Sequence, residues 1–267
     1  MTICISAIAL NKDKKECIVF STDHMVSIGG LGQFEKEIKK YKVLNGNVIA
    51  MLSGQPLLFD RILEGAKDFH DFHKIRDKIV ENLAKLRKDI IKKEIYDLFN
   101  IDENYIKQIL PLQFQNPIMQ KILETTSNFT LETSILLIGF DNSANAQITE
   151  IGEVGYGDYR DIHFHAIGSG SSQALNTLLF QKHSKNSDLQ ATIYSVYKAK
   201  RNAEVANGVG KETEIIILDG NKLYELPEEK IVILQNIYNE ELRYGTSHKD
   251  LNNIFPSLSD DKRGDNS

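Results

Sequence analysis

The chain is poor in several features, and each scarcity removes a class of protein. Cysteine occurs only at Cys4 and Cys17, so no disulfide framework holds the fold. Cys4 alternates with Thr2 and Ser6 in a strand-like run and reads as a buried, inert thiol. No run of about 18 or more apolar residues exists, which excludes a transmembrane helix. The start lacks a basic segment followed by a long apolar stretch, so no secretory signal is visible and a cytoplasmic protein is expected. Positive charge is not in excess: 32 Lys and Arg face 37 Asp and Glu, a net charge of -5. That balance argues against a nucleic-acid or anionic-membrane partner. No internal repeat at a solenoid period is seen. Gly168-Ser169-Gly170-Ser171 lacks the following Lys-Ser/Thr of a phosphate-cradling loop. Gly152, Gly155 and Gly157 read as a hairpin tip, with no helix-opening pattern after them. The pairs His70/His73 and His163/His165 come with no Cys or carboxylate set, so no metal is expected.

What remains is a chain that can bury a sizeable core, with 41% hydrophobic residues over 267 positions. Strand-like runs at 2–10 and 17–22 flank a charged tip, Asn11-Lys12-Asp13-Lys14-Lys15-Glu16. A second pair, 39–43 and 48–53, is split by the turn Asn45-Gly46. Helical patterning then takes over. Pro56 suits the first turn of a helix running to about His70. From Ile75 to Phe99 apolar residues recur at three- and four-residue intervals, predicting an amphipathic helix. Shorter helices are expected over Glu103 to Leu110 and Pro117 to Thr125. Strands resume at 134–140, 146–151 and 162–167; helices follow at 172–182 and 188–206, the second stopped by Asn207-Gly208. A closing strand pair spans 213–218 and 222–226. Strands and helices thus come in blocks, which favours an α+β fold of layers, two sheets covered by helices: a four-layer αββα sandwich.

Thr2 is the first chemical signal. Threonine is small enough for methionine aminopeptidase to remove Met1, leaving an α-amine and a hydroxyl on one residue. That is a nucleophile carrying its own general base. Further pieces follow in order: Ser21-Thr22-Asp23, Ile38-Lys39-Lys40-Tyr41-Lys42-Val43, Ser53-Gly54, Ile138-Gly139-Phe140-Asp141, Ala166-Ile167-Gly168-Ser169-Gly170-Ser171 and Ala203-Glu204-Val205-Ala206-Asn207-Gly208. Read alone, Asp23 and Lys39 also describe an ordinary surface pair. As an ordered set, the pieces resemble the proteasome β-subunit family of N-terminal-nucleophile hydrolases, as a divergent member.

The resemblance implies the αββα sandwich and a set of roles. Thr2 would attack a carbonyl, with its own amine as base. Lys39 would be the catalytic cation, held by Asp23, on two neighbouring strands joined by a loop. The Gly54 N–H would stabilise the oxyanion, and Ser169, Glu204 and Asn207 would orient the amine and its water. Glu204 and Asn207 depart from the usual aspartate and serine. The expected domain spans 2–230, with a lengthened helical region at about 66–130, a C-terminal extension over 231–255 and a disordered tail over 256–267. The activity implied is a threonine-type peptidase or amidohydrolase acting on peptide or protein, without cofactor or metal, as a homo-oligomer. An ATPase or regulatory partner is left open. The alternatives are a connectase-like transpeptidase or protein ligase, and a non-catalytic proteasome-like assembly protein.

Overall fold

The computed structural model describes residues 2–28, 32–35, 39–102, 104, 106, 107 and 117–244. The expected helix over 103–110 lies mostly outside these residues, and the expected tail over 256–267 lies wholly outside them. The chain forms two compact units, Met1–Leu226 and Pro227–Ser267.

In the first unit, β1 (Ile3–Leu10) and β2 (Glu16–Thr22) form a hairpin around the charged tip. A small hairpin follows, β3 (Met25–Ile28) with β4 (Gly32–Glu35), where no strands were expected. Four-residue strands are too short to show a two-residue period. Next come β5 (Tyr41–Asn45) and β6 (Val48–Ser53), then β7 (Ser134–Phe140), β8 (Ala146–Gly152), β9 (Gly155–Asp158), β10 (Phe164–Gly168), β11 (Glu214–Asp219) and β12 (Lys222–Glu225). One sheet has the order β10-β1-β2-β11-β12 and the other β5-β6-β7-β8-β9, every neighbouring pair antiparallel.

The sheets stack face to face. Cys4, Ile8, Ile18, Phe20, Ile216 and Leu218 from one meet Ile49, Met51, Leu136, Ile138 and Ile148 from the other. Helices cover both outer faces. Against the second sheet lie α1 (Phe59–Ile62) and α2 (Phe72–Ile91), whose Ile75, Ile79, Leu83 and Leu86 pack on Val48, Ala50, Leu52, Ile135 and Leu137. Asp71 caps α2 by accepting from the Lys74 N–H at 3.0 Å. Helix α3 (Pro117–Asn128) follows. Against the first sheet lie α4 (Ser171–Phe180) and α5 (Leu189–Ala203), the latter capped by Asp188. This is the layered α+β sandwich expected from the order of strand and helix blocks. The second unit carries α6 (Glu228–Tyr244), with Glu228 and Glu229 in its first turn, where the helix dipole favours negative charge.

Two helix expectations are corrected. The segment after Pro56 is not one helix: it breaks into short turns, with Gly65 left-handed at φ +69°. The regular α-helix after Phe72 ends at Ile91, and the chain continues as a wider π turn over Lys92–Tyr96 and a 3-10 turn over Asp97–Phe99. The wider turn rotates the apolar stripe, which is why Leu98 is exposed rather than buried.

Alternation along the strands also makes one end of the intersheet layer polar. The face bearing Cys4 and Ile8 continues back to Thr2, and the face bearing Ile18 and Phe20 continues to Thr22. By the same rule Leu218 and Ile216 lead to Glu214, Met51 to Ser53, Leu136 to Ser134 and Ile167 to Ser169. The apolar centre supplies stability. Leu136→Ala, at a fully buried intersheet position, is expected to lose about 2–5 kcal/mol. Urea denaturation monitored by circular dichroism measures this.

Candidate active site

Asp23 follows β2 at this polar end and is 0% exposed. A buried carboxylate is costly unless its oxygens are satisfied. Here five donors reach it. Its Oδ1 accepts from the Thr2 hydroxyl at 2.5 Å, the Ile3 N–H at 3.1 Å and Lys40 Nζ at 2.6 Å. Its Oδ2 accepts from the Gly210 N–H at 2.8 Å and the Met25 N–H at 3.3 Å. Lys40 Nζ also donates to Thr2 Oγ1, which closes a triangle of hydroxyl, ammonium and carboxylate. Burial alone would push the Asp23 carboxyl up. The Lys40 cation and the Gly210 N–H outweigh it and hold the carboxyl below the ordinary aspartate value.

Thr2 is 2% exposed and is fixed from the other side by β10. The Ser169 hydroxyl donates to the Thr2 carbonyl at 3.3 Å, and Ile3 pairs with Gly168. Gly168 has φ +105°, and a Cβ there would lie 2.2 Å from the Thr2 carbonyl oxygen, so only glycine permits the approach. Gly54, just past β6, has φ +121°, and a Cβ would lie 2.4 Å from the Glu132 carbonyl. Lys40 links this segment to Thr2: its carbonyl accepts from the Leu52 N–H at 3.0 Å, two residues before Gly54. Cys4 is buried below Thr2, with its thiol pushed up to about 12 chiefly by burial. Such a thiol stays protonated and is no nucleophile.

The geometry corrects the lysine. Lys40, not Lys39, reaches Thr2 and Asp23. Lys39 is exposed and contacts Tyr41 Oη at 3.1 Å, Glu225 at 3.2 Å and Glu214 at 3.6 Å. The Tyr41 contact leads in raising its proton affinity. Nor do Asp23 and the lysine lie on neighbouring strands: β2 and β5 belong to opposite sheets. Consecutive residues point to opposite sides here, so a one-residue slip exchanges an exposed cation for one mostly shielded from water.

Thr2, Asp23 and Ser169 are therefore brought together. Glu204 makes no hydrogen bond to Thr2 among the described residues: its Oε1 accepts from Lys200 at 2.7 Å and from Arg201 at 3.1 Å. Asn207 is exposed in the turn after α5, with no hydrogen bond to Thr2 among the described residues. Lys200 and Gly210 were not singled out in the sequence. A lysine inside the otherwise apolar stripe Val196, Ala199, Ala203 was the available signal. His165 is buried against Glu150 at 2.7 Å and stacks on Tyr159, while His73 contacts Arg76. Among the described residues no group of three or more metal-ligating side chains occurs.

Two sheets, their helical covers and the threonine at the strand end define the fold as that of proteasome-like N-terminal-nucleophile proteins. The chain is similar to the solved structure of Anbu (ancestral beta-subunit) from Yersinia bercovieri, with TM-score 0.62 and 11% identity, over 98% of this chain and 100% of that one. It is also similar to the Anbu (Gly-1) mutant from Hyphomicrobium sp. strain MC1, with TM-score 0.61 and 12% identity, over 91% of this chain and 95% of that one. At such identity the likeness establishes the fold alone. No protein-family model and no curated protein matches the chain. The resemblance to proteasome β subunits is thereby corrected: these solved structures belong to Anbu, a proteasome-like but distinct family.

The Asp23 environment has a pH signature. Its folded-state value is depressed, so the stability it contributes is present above the unfolded value near 4 and is lost as pH falls through the folded value. Asp23→Asn is expected to lower stability at pH 7 and to flatten the stability loss below about pH 4. Thermal unfolding across pH 2–7 checks both.

Proposed function

We propose that the chain is an N-terminal threonine hydrolase that cleaves peptide or amide bonds after removal of Met1. The observation that carries the reading is the contact of the Thr2 hydroxyl with both Lys40 Nζ and Asp23. In this mechanism Thr2 Oγ attacks the scissile carbonyl carbon and passes its proton to the freed α-amine. Lys40 favours the developing alkoxide, and Asp23 keeps Lys40 charged and aimed. The Gly54 N–H is assigned to the oxyanion, where one donor is worth about 10²–10³ in rate. Collapse of the tetrahedral species expels the amine, which takes the proton back, and leaves an ester on Thr2. Water then resolves the ester. Ser169 anchors the Thr2 backbone.

Assembly as a homo-oligomer is part of the proposal and rests on the proteasome-like fold. No helix among the described residues is long and apolar enough to cross a membrane. A second reading, a non-catalytic assembly protein on the same fold, draws support from Glu204 and Asn207. Neither has a hydrogen bond to Thr2 among the described residues, although the resemblance assigned them to its amine.

Intact mass separates the readings. Treatment with an epoxyketone or β-lactone that reacts with N-terminal threonine is expected to give a chain lacking Met1, with one adduct on Thr2. Retained Met1 without adduct would favour the assembly protein. Thr2→Ala is expected to abolish the adduct without unfolding. Lys40→Ala is expected to slow acylation by orders of magnitude, and Lys39→Ala to leave it close to the parent rate. Equal effects of the two lysine substitutions would overturn the role given to Lys40.

A further inference from the structure

Lys200 lies on α5 and is 0% exposed, a full cation inside the protein. An ammonium buried this way costs several kcal/mol unless its donors are matched. It has three donors and all three are used. One goes to Glu204 Oε1 at 2.7 Å, one to the Gly210 carbonyl at 2.9 Å and one to the Lys211 carbonyl at 2.8 Å. Two of the three therefore hold the backbone that leads from α5 into β11. The N–H of the same Gly210 donates to Asp23 Oδ2 at 2.8 Å. Asp23 in turn holds Thr2 and Lys40 through its other oxygen.

The segment is also wedged from behind. A Cβ on Gly170 would lie 2.9 Å from Ala203 Cβ and 3.0 Å from Val209 Cγ2. Gly170 directly follows Ser169, the residue on the Thr2 carbonyl. A shift of the Val209–Lys211 backbone would thus be felt on both sides of Thr2. Helix α5 is a firm base for this contact, because it packs on β1 and β2, the strands that carry Thr2 and Asp23.

We propose that Lys200 is a positioning residue: it holds the Gly210–Lys211 backbone so that the Gly210 N–H reaches Asp23 and keeps that carboxylate aligned with Thr2 and Lys40. It acts only through other groups. Glu204 takes its place in this arrangement as the counter-ion of Lys200, rather than as a partner of the Thr2 amine. Burial pushes the Lys200 ammonium below the ordinary lysine range, while the charges of Glu204 and Asp23 oppose that and Arg201 adds to it. Among the described residues Lys40 and Lys200 are cations acting on Asp23, and loss of Met1 adds the Thr2 α-amine beside them.

The proposal rests on Thr2 being the nucleophile, and its test separates the two ideas. The readouts are the rate of Thr2 acylation by a β-lactone across pH and hydrogen exchange at the Gly210 amide. Lys200→Met is expected to slow acylation about 10- to 100-fold, the scale of a small misplacement of reacting groups. Its acid limb, set by the α-amine that takes the Thr2 proton, should move to higher pH, because removing a cation from the site makes that amine easier to protonate, and exchange at Gly210 should quicken. Lys200→Arg should recover part of the rate. A folded Lys200→Met protein with unchanged rate, acid limb and Gly210 exchange would overturn the proposal. Should Lys200→Met fail to fold, Glu204→Gln decides: it keeps an acceptor but removes the counter-charge, so the alkaline limb should move to lower pH. An unmoved alkaline limb would overturn the proposal. If the parent protein is never acylated, the nucleophile reading fails, and Gly210 exchange alone decides whether Lys200 holds the loop on Asp23.

Discussion

A fully buried carboxylate, Asp23, organises this end of the molecule. An ionised group taken out of water must recover its hydration from the protein, or it takes up a proton. Asp23 recovers it from five donors on four stretches of chain: the start of β1, the start of β3, the residue before β5 and the loop between α5 and β11. These stretches are far apart in sequence. The same set of bonds that makes the charge tolerable also places a hydroxyl and an ammonium against each other. Stability and candidate chemistry here share one cause.

The sandwich makes such a site possible because its two ends differ. In the middle, both sheets present Ile, Leu, Phe and Met to one another and exclude water. At one end the same strand faces turn to Thr2, Thr22, Glu214, Ser53, Ser134 and Ser169. Strand ends are where a sheet can offer side chains without losing its ladder of backbone bonds. Glycine lets the backbones close in: Gly168 against the Thr2 carbonyl and Gly54 against Glu132 and Thr133. The precision of the site therefore depends on sheet register, and register is secured by the apolar centre.

Much of the fold was legible in the sequence because its periodicities are strong. The strands β1, β2, β6, β7 and β8 alternate or run apolar and are bounded by turns, and α2 and α5 carry clear apolar stripes. What escaped were weak or interrupted patterns. The β3–β4 hairpin is built of four-residue strands. The stretch after Pro56 has helical spacing, yet it breaks at a left-handed Gly65. In the site, the structure brings Thr2, Asp23 and Ser169 next to one another, with Ser169 on the Thr2 carbonyl. Lys39 was one residue from the lysine that points inward. Lys200 was hidden because a lysine on a helix reads as solvated unless the packing around it is known.

The sequence alone determined the layered α+β class, the apolar strand faces and the presence of a threonine beside the first strand, since these depend on local spacing and composition. Tertiary structure decided which lysine meets that threonine, because these adjacent residues face opposite ways and only the stacking of two sheets selects one. It also decided that Lys200, with its i,i+4 partner Glu204, is buried rather than solvated, and that Gly210 reaches across to Asp23. The last pairing joins residues 187 apart, and no local pattern encodes a contact over that separation.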